Sequence, residues 1–422
     1  MKTLDVSANI SRTASSLNFR LLLLCFVAVS PSLGTAVSAL GRLFLYLAAV
    51  IIFLLPSSDR SSESDRNFQN LTVLVLTTIG YMLATVAWST ASLTESLHAW
   101  TRHARILTIP ILYIMIRNRQ EGKIVLQAFA FGQIFVVLSA WLLVFGVKVP
   151  WTTAVASKET YAVFGSYLEQ SISQSVLVAI LWFGRHWIFG PHGRWFAIFG
   201  AFITFVLTLG FLQGRSGHLV ALAIIAIAVM FELPRQKKWI AVVIVAGVVA
   251  LTFAGSKNFR DRMLSVNSEI SAYSEVTVAD TSSAIRLYYW TVSVLAALEK
   301  PFFGHGAGSW NYEYRRLGAD NANPITLSIR DPHQLFLLWL VEGGLVGMGL
   351  LIALLGYLLK CSRKLNLPEA QILQATVAAL VISSMFNSMI FGIGMGDFFC
   401  IAIGILLGMR CNSKTDSKQA NQ

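Results

Sequence analysis

Three short stretches of this sequence carry residues that could do chemistry, and each stands beside an apolar run. Gln213-Gly214-Arg215-Ser216-Gly217-His218 joins two such runs. An Arg at a junction of that kind either snorkels to lipid head groups or receives an anion. Small neighbours would let a bulky anion reach the guanidinium, whose fork matches two phosphate oxygens. Arg286 follows Asp280-Thr281-Ser282-Ser283, a cluster of N-cap residue types, and precedes Tyr288, Tyr289 and Trp290. That order predicts a helix ended by Pro301, with Arg286 in its first turn. Free N–H groups and the positive end of the dipole there favour a bound anion beside the cation; the alternative is a surface Arg next to an aromatic anchor. The third stretch is Asp331-Pro332-His333-Gln334. Asp331 suits a cap and Pro332 the first helical position, which puts His333 in the first turn of the apolar helix that follows. The dipole disfavours imidazolium at that place, so the ring stays neutral and able to take a proton as a general base. Its other reading is an interfacial His held for structure.

On the same predicted helix, Gly344 and Gly347 share the face of His333, and that face can press against a neighbouring helix. Glu342 falls on the opposite face, about three turns further in. A carboxylate there must be protonated or paired. Asp397, near the start of the last apolar run, is a weaker polar candidate of the same kind. No acidic pair, no His/Cys cluster with zinc spacing and no Gly-Lys-Ser/Thr phosphate loop accompanies these residues. Gly304, Gly306 and Gly308 lack the preceding strand of a dinucleotide fingerprint. We therefore expect no metal, no cofactor and no nucleotide-driven step.

The elements that position these residues are apolar. Of 422 residues 55% are hydrophobic and 13% charged, with a mean hydropathy of +0.64. A soluble domain carries about 25% charged residues, so the composition places the chain in a bilayer. Twelve candidate spans lie near 20–36, 39–55, 70–88, 104–116, 124–146, 171–189, 195–212, 217–232, 239–254, 334–359, 371–391 and 393–409. The expected fold is an all-α polytopic membrane protein, a single membrane domain over 1–422. With both termini cytoplasmic, more than half of the 33 basic residues fall on the inner side, as the positive-inside rule requires. The net charge of +12 is then mostly topology, and no nucleic-acid partner is implied. The first span is read as retained, because its removal would invert that pattern. None of Cys25, Cys361, Cys400 and Cys411 falls on the outer side, so no disulfide is expected. Residues 89–104 read as an interfacial helix carrying Leu93, Leu97 and Trp100. The one long interruption, 255–333, faces outward and contains at least one helix; a connection of that length is more often functional than connective.

Taken in order, Gln213-Gly214-Arg215, Arg286 with Trp290, Pro301 before Gly304, Gly306 and Gly308, and His333-Gln334 ahead of Glu342-Gly343-Gly344 and Gly347 resemble the O-antigen ligase and O-antigen polymerase superfamily. The resemblance covers roughly residues 205 to 355 and implies a GT-C-like, inverting, metal-independent glycosyltransferase at the periplasmic face of a bacterial inner membrane. It implies a donor glycan on undecaprenyl diphosphate, bound by Arg215 and Arg286, and a catalytic base at His333, with Gln213, Trp290 and Glu342 in support. Twelve spans and one dominant outer loop resemble the ligase, whose acceptor is lipid A-core. The alternatives are a polymerase that extends the lipid-linked glycan and a non-enzymatic transporter of it.

Overall fold

The computed structural model describes residues 19–54, 66–154, 157–256, 260–261, 264, 282–318 and 329–409. The proposed caps Asp280 and Thr281, the basic C-tail and Cys411 lie outside them. Each of the twelve apolar runs contains a helix. We label the helices α1 (Phe19–Leu33), α2 (Thr35–Leu54), α3 (Arg66–Ala84), α4 (Leu93–His103), α5 (Thr108–Met115), α6 (Arg119–Val144), α7 (Tyr167–Gly184), α8 (Gly190–Gly210), α9 (Arg215–Glu232), α10 (Trp239–Gly255), α11 (Ser282–Glu299), α12 (Trp310–Gly318), α13 (Leu335–Ser362), α14 (Leu367–Ser384) and α15 (Ile393–Gly408). Among the described residues eight helices are long and apolar enough to cross a membrane by length and composition. The chain is an all-α polytopic membrane protein. Helix α5 is too short for a straight crossing, which takes about 20 residues.

Helix α15 is apolar all round and buried from Met395 to Gly408, so it forms the centre of the bundle. Its one acid, Asp397, accepts from Ser38 Oγ at 2.8 Å and is paired with Arg42, with Arg105 Nε 4.0 Å away. The buried charge is thus met by two cations and ties α2 and the turn before α5 to the centre. At one end of the bundle, Arg20 pairs with Glu121 and Arg119 with Glu369, joining α1 to α6 and α6 to α14. The residues of interest lie at the other end.

There the polar interruption does something its sequence does not announce. Helix α13 is broken at Gly344, whose φ of 64° and ψ of −163° are not helical. The turn after α11 fills the break with its own backbone. His305 N donates to Val341 O at 2.8 Å and Gly306 N to Glu342 O at 2.9 Å, while Leu345 N and Val346 N donate to Pro301 O and Phe302 O at 2.8 and 3.3 Å. Every one of these main-chain groups would otherwise be orphaned by the break. A Cβ on Gly304 would sit 2.6 Å from Gly344 N and from Val341 O, so only glycine permits the approach. The spacing Gly304-x-Gly306 and the Gly343-Gly344 pair are therefore two halves of one backbone joint. From Gly344 to Lys360 the helix is about 24 Å long at 1.5 Å per residue. With Lys360 at one edge of a hydrocarbon layer about 30 Å thick, the joint lies near the other edge. Trp88, Phe302 and Phe303 are exposed beside it, 38%, 63% and 61% open, as aromatic residues at a membrane interface are.

Candidate functional site

Glu342 stands one residue before the Gly pair and points back into the joint. Its Oε1 accepts from Gly308 N at 3.0 Å, and its Oε2 is 2.7 Å from His103 Nε2. Both side chains of the His103–Glu342 pair are fully buried. His103 ends α4 and lies edge-on to Trp339, 4.8 Å between ring centroids. Of the two states open to Glu342, the paired one is found, and its partners make it a fastener of the joint. Helix α4 begins with a capping box between Ser92 and Glu95. The expectation that 89–104 lies flat on a surface needs correcting in part. Leu93 and Leu97 are exposed, whereas Ser96 and Ala99 are buried beside Gly308 and Ala307 and His103 is buried beside Glu342.

His333 is not in the first turn of α13. The N-cap is Gln334, whose side chain accepts from Leu337 N, and His333 precedes it in the left-handed region with φ 52°. Asp331 does not cap the helix either; its Oδ1 accepts from His333 N at 2.9 Å and stands 3.5 Å from His333 Nδ1. The cap thus falls to Gln334, directly before the apolar run, although Asp331 is the better N-cap residue type. With His333 outside the helix and α13 broken at Gly344, the angular reckoning that put Gly344 and Gly347 on the face of His333 does not apply. The ring still ends up as the dipole argument required, for a different reason. Burial lowers the His333 pKa from its ordinary value, Asp331 raises it and Arg286 lowers it again, with the net downward. The side chain keeps 37% of its surface open, so solvent moderates the shift.

Arg286 is the fifth residue of α11, at the start of the second turn rather than in the first. One turn on, Trp290 Nε1 donates to Pro332 O at 3.2 Å and so pins the residue before His333. Tyr289, fully buried, has its ring 6.1 Å from that of His333, and its hydroxyl has no hydrogen-bond partner among the described residues. Burial, Tyr314 and Asp331 all raise its pKa. Sequence reading passed over Tyr289 because an aromatic neighbour of an Arg carries no distinguishing signal.

Arg215 is the first residue of α9, with Gly214 at the N-cap. Its small neighbours serve packing rather than ligand access. A Cβ on Gly217 would lie 2.0 Å from Ser171 Oγ and one on Gly214 2.3 Å from it, so the glycines let α9 press on α7. Gln213 Nε2 donates to Glu159 O at 3.4 Å. Contacts nevertheless link Arg215 to the other residues: Asn387 Nδ2 donates to Ser216 Oγ at 3.3 Å, Phe386 packs 6.4 Å from Trp290, and Trp290 holds Pro332. The stretch between α14 and α15 thus touches both Ser216, next to Arg215, and Trp290, one turn from Arg286.

One acidic cluster escaped the spacing argument. Glu299, His305 and Glu313 place ligand atoms within 4.8 Å of one another. Arg316 already bridges the two carboxylates, with Nε 2.7 Å from Glu313 Oε2 and a second nitrogen on Glu299. His305 Nε2 lies 2.8 Å from Ala296 O and its Nδ1 3.1 Å from Glu313 Oε1. A resident guanidinium and these hydrogen bonds suit a structural ion-pair network, which ties α12 back to α11. Helix α12 was itself unexpected: its buried face, Trp310, Glu313, Tyr314 and Gly318, includes the acid of that network.

A protein of Haemophilus influenzae described as uncharacterized is 26% identical over 163 residues, which is 37% of this chain and 41% of that relative. The chain therefore spans about two fifths of the length of the relative it matches. The family model described as O-antigen ligase matches residues 199–352, from within α8 to the middle of α13. That stretch holds Arg215, Arg286, His333, Glu342 and the whole glycine joint. The family covers O-antigen ligases and related polymerases and points to a glycosyltransferase-like enzyme of glycan processing. Over residues 199–352 this membrane protein is thus similar to the O-antigen ligase family.

Proposed function

We propose that the chain is an O-antigen ligase that transfers glycan from undecaprenyl diphosphate to lipid A-core. The reaction takes place at the periplasmic face of the bacterial inner membrane, with both termini cytoplasmic. The observation that supports this reading is His333, an imidazole whose pKa is lowered by burial and by the field of Arg286. An acceptor hydroxyl gives its proton to His333 as its oxygen attacks the anomeric carbon. The bond from that carbon to the diphosphate oxygen breaks on the opposite face, and the electron pair leaves with the diphosphate. Arg215 and Arg286 stabilise the charge that grows there, the kind of electrostatic term that dominates many transferases. Asp331, 3.5 Å from Nδ1, steadies the ring as it becomes positive. No metal ion enters this scheme, and the configuration at the sugar inverts.

Purified protein supplied with lipid-linked glycan and lipid A-core should transfer glycan, and His333→Ala should abolish transfer. Undiminished transfer by that variant would remove the base. Chelator should leave the rate unchanged, and loss of activity restored by a divalent ion would overturn metal independence. Lipopolysaccharide from cells lacking the gene should carry bare core. Core bearing a single repeat unit would identify a polymerase instead.

A further inference from the structure

Asp331, beside His333, also lies in the field of a second group of cations. A cavity of about 500 Å³ is lined by Arg102 of α4, Arg315 of α12, Arg330, His98 and Phe391. Three guanidiniums from three separate segments open into this one space. Arg102 lies over the Phe391 ring, 4.6 Å from its centroid, and so is held at the cavity wall. Glu95 is the one carboxylate among the lining residues, and it is turned away: its Oε2 accepts from Ser92 Oγ at 2.9 Å and from Ser92 N at 3.4 Å as part of the helix cap. Cations thus outnumber carboxylates among the side chains that line the cavity. The pKa of His98 is lowered by burial and then by Arg102, Arg330 and Arg105, and that of Arg102 by burial and Arg330. Arg102 also lies in the fields of Asp331, whose carboxylate faces His333, and of Glu342. Phe391 beneath Arg102 and Phe386 beside Trp290 belong to the same connecting stretch, so that stretch touches both the cavity and the helix that carries Arg286. A solvated basic face would spread its charges outward, whereas these line one half-open cavity of the size small-molecule sites have.

We propose that this cavity is a second anion site, which binds phosphate groups of the acceptor while the donor diphosphate occupies Arg215 and Arg286. The inference rests on the transferase reading for its assignment to the acceptor, and a binding measurement separates the two. Detergent-solubilised full-length protein would be titrated with phosphorylated lipid A-core, with the same lipid after phosphatase treatment, and with undecaprenyl-diphosphate-linked glycan. Replacing Arg102 and Arg330 together by Gln should weaken binding of the phosphorylated lipid about tenfold or more, the loss expected for charge-assisted hydrogen bonds. Binding of the dephosphorylated lipid and of the donor should hold, and unchanged donor binding also shows that the variant is folded. The double Lys variant should fall between the two. In transfer assays the Gln variant should raise KM for the acceptor and leave kcat near the parent value. Equal binding of phosphorylated and dephosphorylated lipid by the parent would overturn the proposal, as would unchanged affinity in the Gln variant. A parallel loss of donor affinity would reassign the cavity to the donor. Failure of the transferase reading looks different: phosphate-dependent binding would persist while transfer was absent or survived in His333→Ala.

Discussion

Replacing Gly344 by Ala tests the backbone joint without touching any residue assigned to chemistry. With φ 64° and ψ −163°, Gly344 sits in a region open almost solely to glycine, and a side chain there costs about 1–3 kcal/mol. The new Cβ would also meet Phe302 C and O at 2.3 Å. Those are backbone atoms, so the relief is withdrawal of the 301–306 turn. Withdrawal breaks first the bonds from Leu345 N to Pro301 O and from Val346 N to Phe302 O, each worth about 0.5–1.5 kcal/mol net. Strain and lost bonds together come to about 2–6 kcal/mol. Gly349 is the control, because it lies in the same helix and a Cβ there meets nothing within 4 Å. Thermal unfolding in detergent should show Gly344→Ala melting several degrees below the parent, with faster proteolysis in the 300–308 turn. Gly349→Ala should match the parent or exceed it, since Ala is the better helix former. Equal melting of the two variants would refute the joint as a stabilising contact.

The pH dependence of transfer should follow the charges around His333. The neutral ring is the active form, so a lowered pKa extends activity below the ordinary histidine range; Arg286→Gln should move the acid limb to higher pH and Asp331→Asn to lower pH, read from kcat/KM against pH. Glu342→Ala leaves His103 and Gly308 N facing an empty space and should destabilise by about 3–5 kcal/mol, whereas Glu342→Gln keeps an acceptor for Gly308 N and should cost less in the same melting assay. Gly217→Ala should force α9 from Ser171 and displace Arg215, which would appear as weakened donor use, partly restored by Ser171→Gly in the same chain.

The apolar runs were legible because hydropathy is written residue by residue, and even the weakest, 104–116, has its short helix. Helix α11 was legible for the same local reasons, and it runs to Glu299 just before Pro301. The joint was not. Main-chain hydrogen bonds between 301–306 and 341–346 leave no side-chain pattern, and their trace is a set of glycines that reads equally well as a tight turn or a helix-packing face. The partner of Glu342 was hidden by distance in the chain, 239 residues from His103. For His333 the residue type suggested a base, but the local rule misplaced it, since the rule favours Asp331 as the cap and the fold uses Gln334. Arg215 was found at a helix start as expected, yet its glycines turned out to face α7.

The chemistry proposed for His333 depends on structure some distance from it. A histidine in the left-handed region costs about 1–3 kcal/mol and persists only where its surroundings fix it. Here two contacts do so, Asp331 on the His333 amide and Trp290 on the preceding carbonyl. Trp290 and Arg286 are one turn apart on α11, which places them on one helix face. The helix that pins the base thus also carries the cation whose field lowers its pKa. The turn after α11 is in turn clamped into the break of α13, the helix that His333 and its cap introduce. Base, cation and joint form a closed loop of fixed contacts between two helices. The spacing of Arg286 to His333 is therefore set by the glycine joint as much as by either residue.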